Sequence, residues 1–344
     1  FAQIGGALER IFEPLVGLVD AHRPLHGHTL SGGCIGGKTV GMHLGLQFTA
    51  ARVEIGAVHQ IALDEGAELY RLGPAGGEIV EGDGLKSRPR QRFAGMGANI
   101  ARAAGDTIMA IYSQPFTVEY KGDESPLTAA DKGAHEVIVQ ALAGLTPDIP
   151  VLSEESGPEV MGLRHGWSRY WLVDPLDGTK EFVSRNGEFT VNIALIEDGQ
   201  PLWGLVYAPV LDRLWYGGRE VGAWRVADGK REAIQTLPHQ EGAPWRVVGS
   251  RNHLSQATLD YLARFGDIAR GEIELVSMGS SLKFCIIAEG GAELYPRLAP
   301  TCEWDTAAAQ AVLEGAGGSV TQLDGSPLVY NKPDILNPWF VAQA

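Results

Sequence analysis

The strongest structural signal in the chain lies in the segment Trp171-Leu172-Val173-Asp174-Pro175-Leu176-Asp177-Gly178-Thr179-Lys180-Glu181-Phe182. Its apolar start predicts a strand that ends at Asp174, and the proline that follows directs a turn that presents Asp177. Both carboxylates and the backbone carbonyl of Leu176 could then point at one spot, and oxygen atoms of this kind are the ligands that Mg²⁺ prefers. Taken alone, the Asp-Pro-x-Asp-Gly pattern is about equally well explained as a simple tight turn.

The residues that follow this turn predict a position for an anion. If a helix begins at Gly178, its first backbone N–H groups have no partner within the helix, and such groups attract anions. A phosphate would then lie beside the two carboxylates.

Three further segments place an acidic residue where a strand ends or a helix begins. Glu154 follows the apolar run of residues 151–153, Asp131 lies near the start of a predicted helix, and Asp305 precedes another. Each of these acids alone is explained as a helix cap or a solvated surface residue. Four acidic sites of this kind in one chain make that explanation much weaker, so we expect the carboxylates to share one function.

Helical and strand patterns alternate along the chain from about residue 93. Apolar residues at helical spacing predict helices over residues 98–109, 128–142 and 306–313. Apolar runs predict strands over residues 151–153, 171–173, 189–196 and 204–207. This alternation places the fold in the α/β or α+β class.

The overall composition is that of a globular protein with a large core. Of the 344 residues, 44% are hydrophobic and 20% are charged, and the formal net charge is −14. Nucleic acids and anionic membrane surfaces are bound by basic faces, so neither is the expected main partner. A small phosphorylated substrate fits, because bound cations can reverse the field of an acidic pocket.

The expected location is the cytoplasm. The three cysteines, Cys34, Cys285 and Cys302, are too few and too scattered for a disulfide framework or a zinc site. We expect no integral membrane segment and no secretory signal, because neither pattern occurs in the sequence. Peripheral attachment at the inner membrane and the oligomeric state are left open.

Residues 1–92 differ in composition from the rest of the chain and are interpreted as a Gly- and His-rich N-terminal extension of unknown structure. The segment from Gly32 to Thr39 has the spacing of a phosphate-binding loop, but no strand pattern precedes it, and chance matches are common in Gly-rich sequence. The basic cluster over residues 86–92 is interpreted as a solvated linker. We therefore expect the functional domain to cover residues 93–344.

In combination, these motifs resemble the inositol monophosphatase family of Mg²⁺-dependent, lithium-sensitive phosphatases. The matching pieces are Glu154-Glu155, the segment from Asp174 to Thr179, and Trp304-Asp305, in that order. The resemblance covers about residues 93–344. It implies a layered α-β-α-β-α sandwich of two lobes, at about residues 93–240 and 241–344, with the metal ions between them.

The resemblance also implies roles for the acidic residues. Two or three Mg²⁺ ions would be held by Glu154, Asp174, Asp177, Asp305 and the backbone carbonyl of Leu176. The physical argument agrees, because carboxylates packed together repel one another unless cations neutralise them. Thr179, hydrogen-bonded to Asp131, would activate the attacking water, with Asp131 as the proton acceptor.

Within the family, the chain resembles the bacterial branch that hydrolyses 3′-phosphoadenosine 5′-phosphate to AMP and phosphate in sulfate assimilation. The residues that would bind this nucleotide are Gly178, Thr179, Ser250, His253, Gly279, Lys283 and Arg297. Lys283 would meet the 5′-phosphate, His253 the ribose or base edge, and Arg297 a phosphate. A surface lysine and a loop histidine are the ordinary explanations. Cys302 stands where animal relatives carry a lysine, so contacts on the adenine side are left open.

Two other classes of protein would need most of the same residues. An inositol monophosphatase or a broad sugar phosphatase would keep every metal ligand, but a monophosphate substrate offers no second phosphate to Lys283. A catalytically silent phosphonucleotide-binding protein need not keep the water-activating pair of Thr179 and Asp131. The sequence therefore favours the bisphosphate phosphatase.

Overall fold

The computed structural model describes residues 87–114, 119–120, 126–127, 129–250, 254–269 and 271–344. The extension up to residue 86, with its phosphate-loop pattern, lies outside the described residues. Residues Arg90–Ala344 fall within one compact unit. In the part of the chain that is described, no helix is both long and apolar enough to cross a membrane.

Helices and strands alternate as the sequence predicts. The described helices are α1 (Ser87–Tyr112), α2 (Ala129–Leu145), α3 (Pro158–Leu163), α4 (Thr179–Val183), α5 (Gln256–Ala269), α6 (Leu282–Ala288) and α7 (Ala307–Gly315). The described strands are β1 (Glu119–Tyr120), β2 (Pro126–Leu127), β3 (Val151–Ser153), β4 (Arg169–Asp177), β5 (Thr190–Glu197), β6 (Gln200–Ala208), β7 (Arg213–Gly218), β8 (Gly222–Ala227), β9 (Lys230–Ile234), β10 (Trp245–Gly249), β11 (Ile273–Ser277), β12 (Leu294–Arg297), β13 (Ser319–Gln322) and β14 (Phe340–Gln343).

The larger sheet has the strand order β3-β4-β5-β6-β7-β8-β9. Strands β3 and β4 are parallel, and each later pair is antiparallel. Successive side chains of a strand point to opposite faces. Trp171 and Val173 accordingly pack in the cluster formed with α1 and α2, whereas Tyr170 and Leu172 pack in the cluster formed with α6 and α7. Both faces of β4 are covered, which agrees with the continuous apolar run from Tyr170 to Val173.

The smaller sheet has the strand order β11-β10-β12-β14-β13. Tyr295 and Phe340 of this sheet join the same cluster as α6 and α7. On the opposite face, Leu294 and Val341 pack with Tyr261 of α5. The smaller sheet is therefore also buried on both sides.

The layers follow from these contacts. Helices α1 and α2 cover one face of the larger sheet, α6 and α7 lie between the two sheets, and α5 covers the far face of the smaller sheet. The predicted α/β class and the α-β-α-β-α sandwich are thus confirmed. The linker interpretation of residues 86–92 is wrong from Ser87 onward, because α1 begins there. The boundary at residue 93 and the two lobes stay predictions.

Candidate active site

The parallel pair β3 and β4 brings two of the predicted acids to one edge of the larger sheet. Ser153 lies beside Val173 in the register of the two strands. Glu154 follows directly, and its backbone N–H donates to the carbonyl oxygen of Val173 at 3.0 Å. Parallel strands end on the same side of a sheet, so Glu154 and the end of β4 face the same space.

The Asp-Pro-x-Asp segment forms an irregular end to β4. Asp174 pairs with Asn192 of β5, but the register shifts before Asp177, which pairs with Thr190. The backbone N–H of Leu176 donates to Oδ1 of Asp174 at 3.1 Å, which closes a local turn within the strand. A bulge of this kind re-aims side chains, and here it separates the two aspartates from the regular alternation.

Asp305 and Asp131 approach from two other layers. Asp305 lies just before α7, and its Oδ2 accepts a hydrogen bond from the backbone N–H of Cys302 at 2.8 Å. Asp131 lies in the first turn of α2 and is only 1% exposed. Both acids occur near a helix start, where a negative charge is favourable.

These acids are close enough to act on one another electrostatically. Burial is the largest cause that raises the pKa of the Asp174 carboxyl well above its ordinary value. The negative charges that raise it further are those of Glu154, Asp177, Asp305 and Asp131. Burial and the charges of Asp177 and Glu154 likewise raise the pKa of Asp305. The structure therefore brings together all five predicted acids, from four separate segments.

The oxygen atoms of these acids fit a hard divalent ion. Asp174, Asp177 and Asp305 each commit one carboxylate oxygen to a backbone N–H. The second oxygen of each has no hydrogen bond to a described residue. In the described part of the chain, no three His, Cys, Asp or Glu side chains stand close enough to hold an ion without adjustment. The donor set is nevertheless of the all-oxygen kind that Mg²⁺ prefers, so the residues fit that ion.

The turn after β4 leads into α4, as predicted. Gly178 has φ of 91°, a conformation that glycine adopts without strain, and it forms the N-terminal cap of α4. The hydroxyl of Thr179 donates to the carbonyl oxygen of Leu176 at 3.4 Å. The hydrogen bond between Thr179 and Asp131 stays a prediction.

Lys283 lies in the first turn of α6 and is only 8% exposed. Its Nζ donates to the carbonyl oxygen of Ser280 at 2.6 Å and lies 5.6 Å from the centre of the Tyr295 ring. The pKa of this ammonium group is lowered to about 8, and burial is the largest cause; the charge of Asp177 opposes the shift, and the charge of Arg297 adds to it. The lysine therefore stands within electrostatic reach of the carboxylates and is mostly cationic at neutral pH.

The structure also describes three other predicted substrate residues. Nη2 of Arg297 donates to the carbonyl oxygen of Pro300 at 3.1 Å, and its buried Nε has no partner among the described residues. The backbone N–H of Gly279 donates to Oε2 of Glu188 at 2.8 Å. Ser250 follows β10 and is half-buried. His253 lies outside the described residues.

Two polar residues of the site were not predicted. Asn192 and Ser281 are each 1% exposed, and both hydrogen-bond to Asp177. The available signal was the occurrence of an asparagine within the apolar run of β5, because a buried amide needs polar partners. For Ser281 no comparable signal exists, since serine at a helix start is common.

Known proteins match most of the described region. The 3′(2′),5′-bisphosphate nucleotidase CysQ of Escherichia coli strain K12 is 51% identical over 244 residues, which are 70% of this chain and 95% of that protein. CysQ of Buchnera aphidicola (subsp. Acyrthosiphon pisum, strain APS) is 43% identical over 251 residues, which are 71% of this chain and 91% of that protein.

Solved structures agree with the sequence relatives. CysQ from Bacteroides thetaiotaomicron, a bacterial member of the inositol monophosphatase family, has 42% identity and a TM-score of 0.64, and the match covers 73% of this chain and 97% of that one. The inositol monophosphatase of Anabaena has 26% identity and a TM-score of 0.56, over 74% and 91% of the two chains. The model of the Inositol monophosphatase family matches residues 90–339. With the converging carboxylates at its centre, this chain belongs to the inositol monophosphatase family.

Proposed function

We propose that this chain is a magnesium-dependent 3′(2′),5′-bisphosphate nucleotidase that hydrolyses 3′-phosphoadenosine 5′-phosphate to AMP and phosphate, a step linked to sulfate assimilation. The observation that carries the proposal is the convergence of four other acids on the buried Asp174. The family is generally Mg²⁺-dependent. Relatives named 3′(2′),5′-bisphosphate nucleotidase, at 51% identity, support the substrate.

The metal ligands follow from the oxygen-only chemistry of these acids. Two or three Mg²⁺ ions would be held by Glu154, Asp174, Asp177, Asp305 and the backbone carbonyl of Leu176. When bound, such ions neutralise the phosphate, lower the pKa of a water molecule and stabilise the departing oxygen. The backbone N–H groups that fix one oxygen of each aspartate keep the other oxygen oriented toward the shared space.

Two residues would handle the proton of the attacking water. The Thr179 hydroxyl is a poor base by itself, so it would orient the water and pass its proton to the Asp131 carboxylate. Asp131 is suited to accept that proton, because its carboxylate is buried and lies within electrostatic reach of the acid cluster around Asp174. The water oxygen would attack the phosphorus in line with the departing ribose oxygen, and no bond between enzyme and phosphate would form.

The substrate would be bound by residues around this centre, namely Gly178, Thr179, Ser250, His253, Gly279, Lys283 and Arg297. Lys283 and Arg297 are near enough for the charge of one to lower the pKa of the other. Two cations that repel each other are stabilised by an anion between them, and the 5′-phosphate supplies one. This arrangement supports a bisphosphate rather than a monophosphate substrate.

The location that we propose is the cytoplasm. Cys285 is a free thiol, which suits a reducing compartment. Burial raises the pKa of the Cys285 thiol, so it stays protonated and serves as a core residue.

Phosphate release by the purified full chain tests the proposed function. With Mg²⁺, 3′-phosphoadenosine 5′-phosphate, inositol 1-phosphate and fructose 1,6-bisphosphate are compared, with and without Li⁺. We expect the nucleotide to be preferred and Li⁺ to inhibit. We expect Lys283→Ala to lower kcat/KM for the nucleotide about 10- to 100-fold, the size expected for a lost charged hydrogen bond. Lys180→Ala, which removes an exposed lysine from α4, serves as the matched control.

Each of the other outcomes contradicts a different part of the proposal. Preference for inositol 1-phosphate would keep the metal site and overturn the substrate. Equal loss of activity toward all three substrates in Lys283→Ala would show that the lysine does not select the second phosphate. No release from any substrate, with Mg²⁺ still bound, would favour a silent phosphonucleotide-binding protein.

A further inference from the structure

Asn192 of β5 connects the end of β4 to the start of α6. It lies on β5 directly opposite Asp174 and is almost fully buried. Its Nδ2 donates to Oδ2 of Asp177 at 3.3 Å and to Oγ of Ser281 at 2.8 Å. One amide group therefore joins a predicted metal ligand at the end of β4 to the residue that precedes α6.

Ser281 extends this connection to the second half of the site. Its backbone N–H donates to Oδ2 of Asp177 at 2.6 Å, and its hydroxyl donates to the backbone carbonyl of Asp305 at 2.8 Å. The same hydroxyl accepts the hydrogen bond from Asn192. Ser281 is thus the point at which the segments that carry Asp177 and Asp305 are joined.

We propose that Asn192 and Ser281 are positioning residues that set the separation between Asp177 and Asp305, and so the affinity of the site for divalent ions. The inference rests on the proposed function, because it takes both aspartates as metal ligands. Groups that orient metal ligands typically change metal affinity or activity by about 10- to 100-fold when they are removed.

Two features distinguish this network from ordinary core hydrogen bonding. Oδ2 of Asp177 accepts both donors, so its Oδ1 is turned away from the protein donors. Oδ1 of Asn192 is buried and has no partner among the described residues. A network that only stabilises the fold is expected to satisfy all its buried atoms. Gln310 provides the contrast, since its amide Nε2 donates to Glu314 at 2.9 Å and its Oε1 accepts from Tyr330 at 2.6 Å.

The variants Asn192→Ala and Ser281→Ala test the inference in the full-length protein. Binding of Mn²⁺, a probe for the divalent site, is measured by the loss of the free-ion signal in electron paramagnetic resonance. We expect each variant to weaken Mn²⁺ binding by about tenfold or more, and to raise the Mg²⁺ concentration for half-maximal activity by the same factor. At saturating Mg²⁺, KM for the nucleotide should change little.

The two residues are also expected to act as one unit. The double variant should bind Mn²⁺ no more than about threefold more weakly than the weaker single variant, because contacting residues in one network are not additive. Ser281→Thr keeps the hydroxyl group and should restore most of the affinity lost in Ser281→Ala.

Gln310→Ala is the matched control, because it removes a fully buried amide whose side-chain hydrogen bonds go to Glu314 and Tyr330, neither of which is a predicted metal ligand. It should lower thermal stability and leave Mn²⁺ affinity unchanged. If Asn192→Ala and Ser281→Ala behave like this control, the two residues are structural and the inference is wrong. If the wild-type chain binds Mn²⁺ but releases no phosphate from the nucleotide, the proposed function is wrong. The Mn²⁺ affinities of the variants would then still show whether Asn192 and Ser281 position the metal ligands. Should Asn192→Ala not fold, Ser281→Ala, which removes a single oxygen atom, decides alone.

Discussion

At the scale of the residue, surroundings rather than residue type separate the functional acids from the structural ones. Glu303 is fully buried and stands two positions before Asp305. Its carboxylate pairs with Nζ of Lys332 at 2.5 Å and accepts the backbone N–H of Asn331 at 2.8 Å. The Asp305 carboxylate accepts the N–H of Cys302, and the charges of Asp177 and Glu154 act on it more strongly than that of Arg297. An acid such as Glu303, whose charge is balanced by a lysine and by backbone N–H groups, holds a loop in place. An acid whose neighbours are mainly other acids requires a bound cation.

Asp131→Asn tests the predicted proton acceptor at this scale. The substitution preserves shape but removes the basic carboxylate, so we expect kcat to fall by about 100-fold or more. The Mg²⁺ concentration for half-maximal activity should change by less than about threefold, since Asp131 is not a predicted ligand.

Glu136→Gln, on the exposed side of the same helix, should leave both quantities unchanged. Unaltered turnover in Asp131→Asn would remove Asp131 from the mechanism. A large rise in the Mg²⁺ requirement would instead make it part of the metal site.

At the scale of the element, the placement of Asp305 depends on how α7 packs. The helix is buried along its length, from Ala307 to Glu314. It lies so close to β6 that a Cβ atom on Gly204 would stand 2.1 Å from the carbonyl oxygen of Ala308. A glycine under the first turn of α7 thus allows the backbones to touch. This close approach fixes the segment that carries Asp305.

Gly204→Ala is expected to disturb both the fold and the site. Both contacting groups are backbone atoms of buried elements, and moving either one is energetically unfavourable. We therefore expect a loss of about 3 kcal/mol in the free energy of unfolding. Because the first turn of α7 must move outward, the Mg²⁺ requirement should also rise. Denaturant unfolding and Mg²⁺-dependent phosphate release measure the two effects.

Gly144→Ala provides the matched control, because it lies in α2 with no atom within 4 Å of the added Cβ. It should raise stability by up to about 1 kcal/mol, as alanine favours a helix over glycine. If Gly204→Ala is as stable as the wild type, the close contact between α7 and β6 does not constrain the helix.

The sequence predicted the elements better than their connections. The apolar run of β4 and the helical spacing of α2 are local patterns, and the acids at their ends were found with them. Asn192 was missed as a site residue because its partners, Asp177 and Ser281, come from other elements. Those two partners are 104 positions apart in the chain, so no local pattern indicates their hydrogen bond. The orientation of Lys283 toward the Ser280 carbonyl is likewise a tertiary result.

At the scale of the whole molecule, the site exists because residues from different layers of the fold meet. Asp177 comes from the larger sheet, Lys283 from the helical layer between the sheets, and Arg297 from the smaller sheet. The acids create repulsion, and the lysine and arginine provide only partial compensation because they also repel each other. The metal-free fold therefore carries an electrostatic cost that a bound divalent ion removes.

This cost predicts how pH and Mg²⁺ together control stability. The pKa values of Asp174 and Asp305 are raised in the folded state, so the native protein binds more protons than the unfolded chain. The contribution of these groups to the free energy of unfolding is fully present below the pKa of an unfolded aspartate, about 3.9. It is lost as the pH rises through their raised pKa in the folded protein. Mg²⁺ requires the ionised carboxylates and reverses this loss.

We therefore expect the rise in Tm on adding Mg²⁺ to be larger at about pH 8 than at about pH 5.5. Each 1 kcal/mol corresponds to roughly 2–4 °C in a domain of this order of size. Asp174→Asn should raise the Tm of the metal-free protein at the higher pH and abolish most of the Mg²⁺ effect, because it removes a buried charge that four other acids repel. Asp148→Asn, an exposed aspartate, is the control. A Mg²⁺ effect that is independent of pH, or retained in Asp174→Asn, would show that the buried carboxylates do not bind the ion, since their ionisation and its binding must be linked.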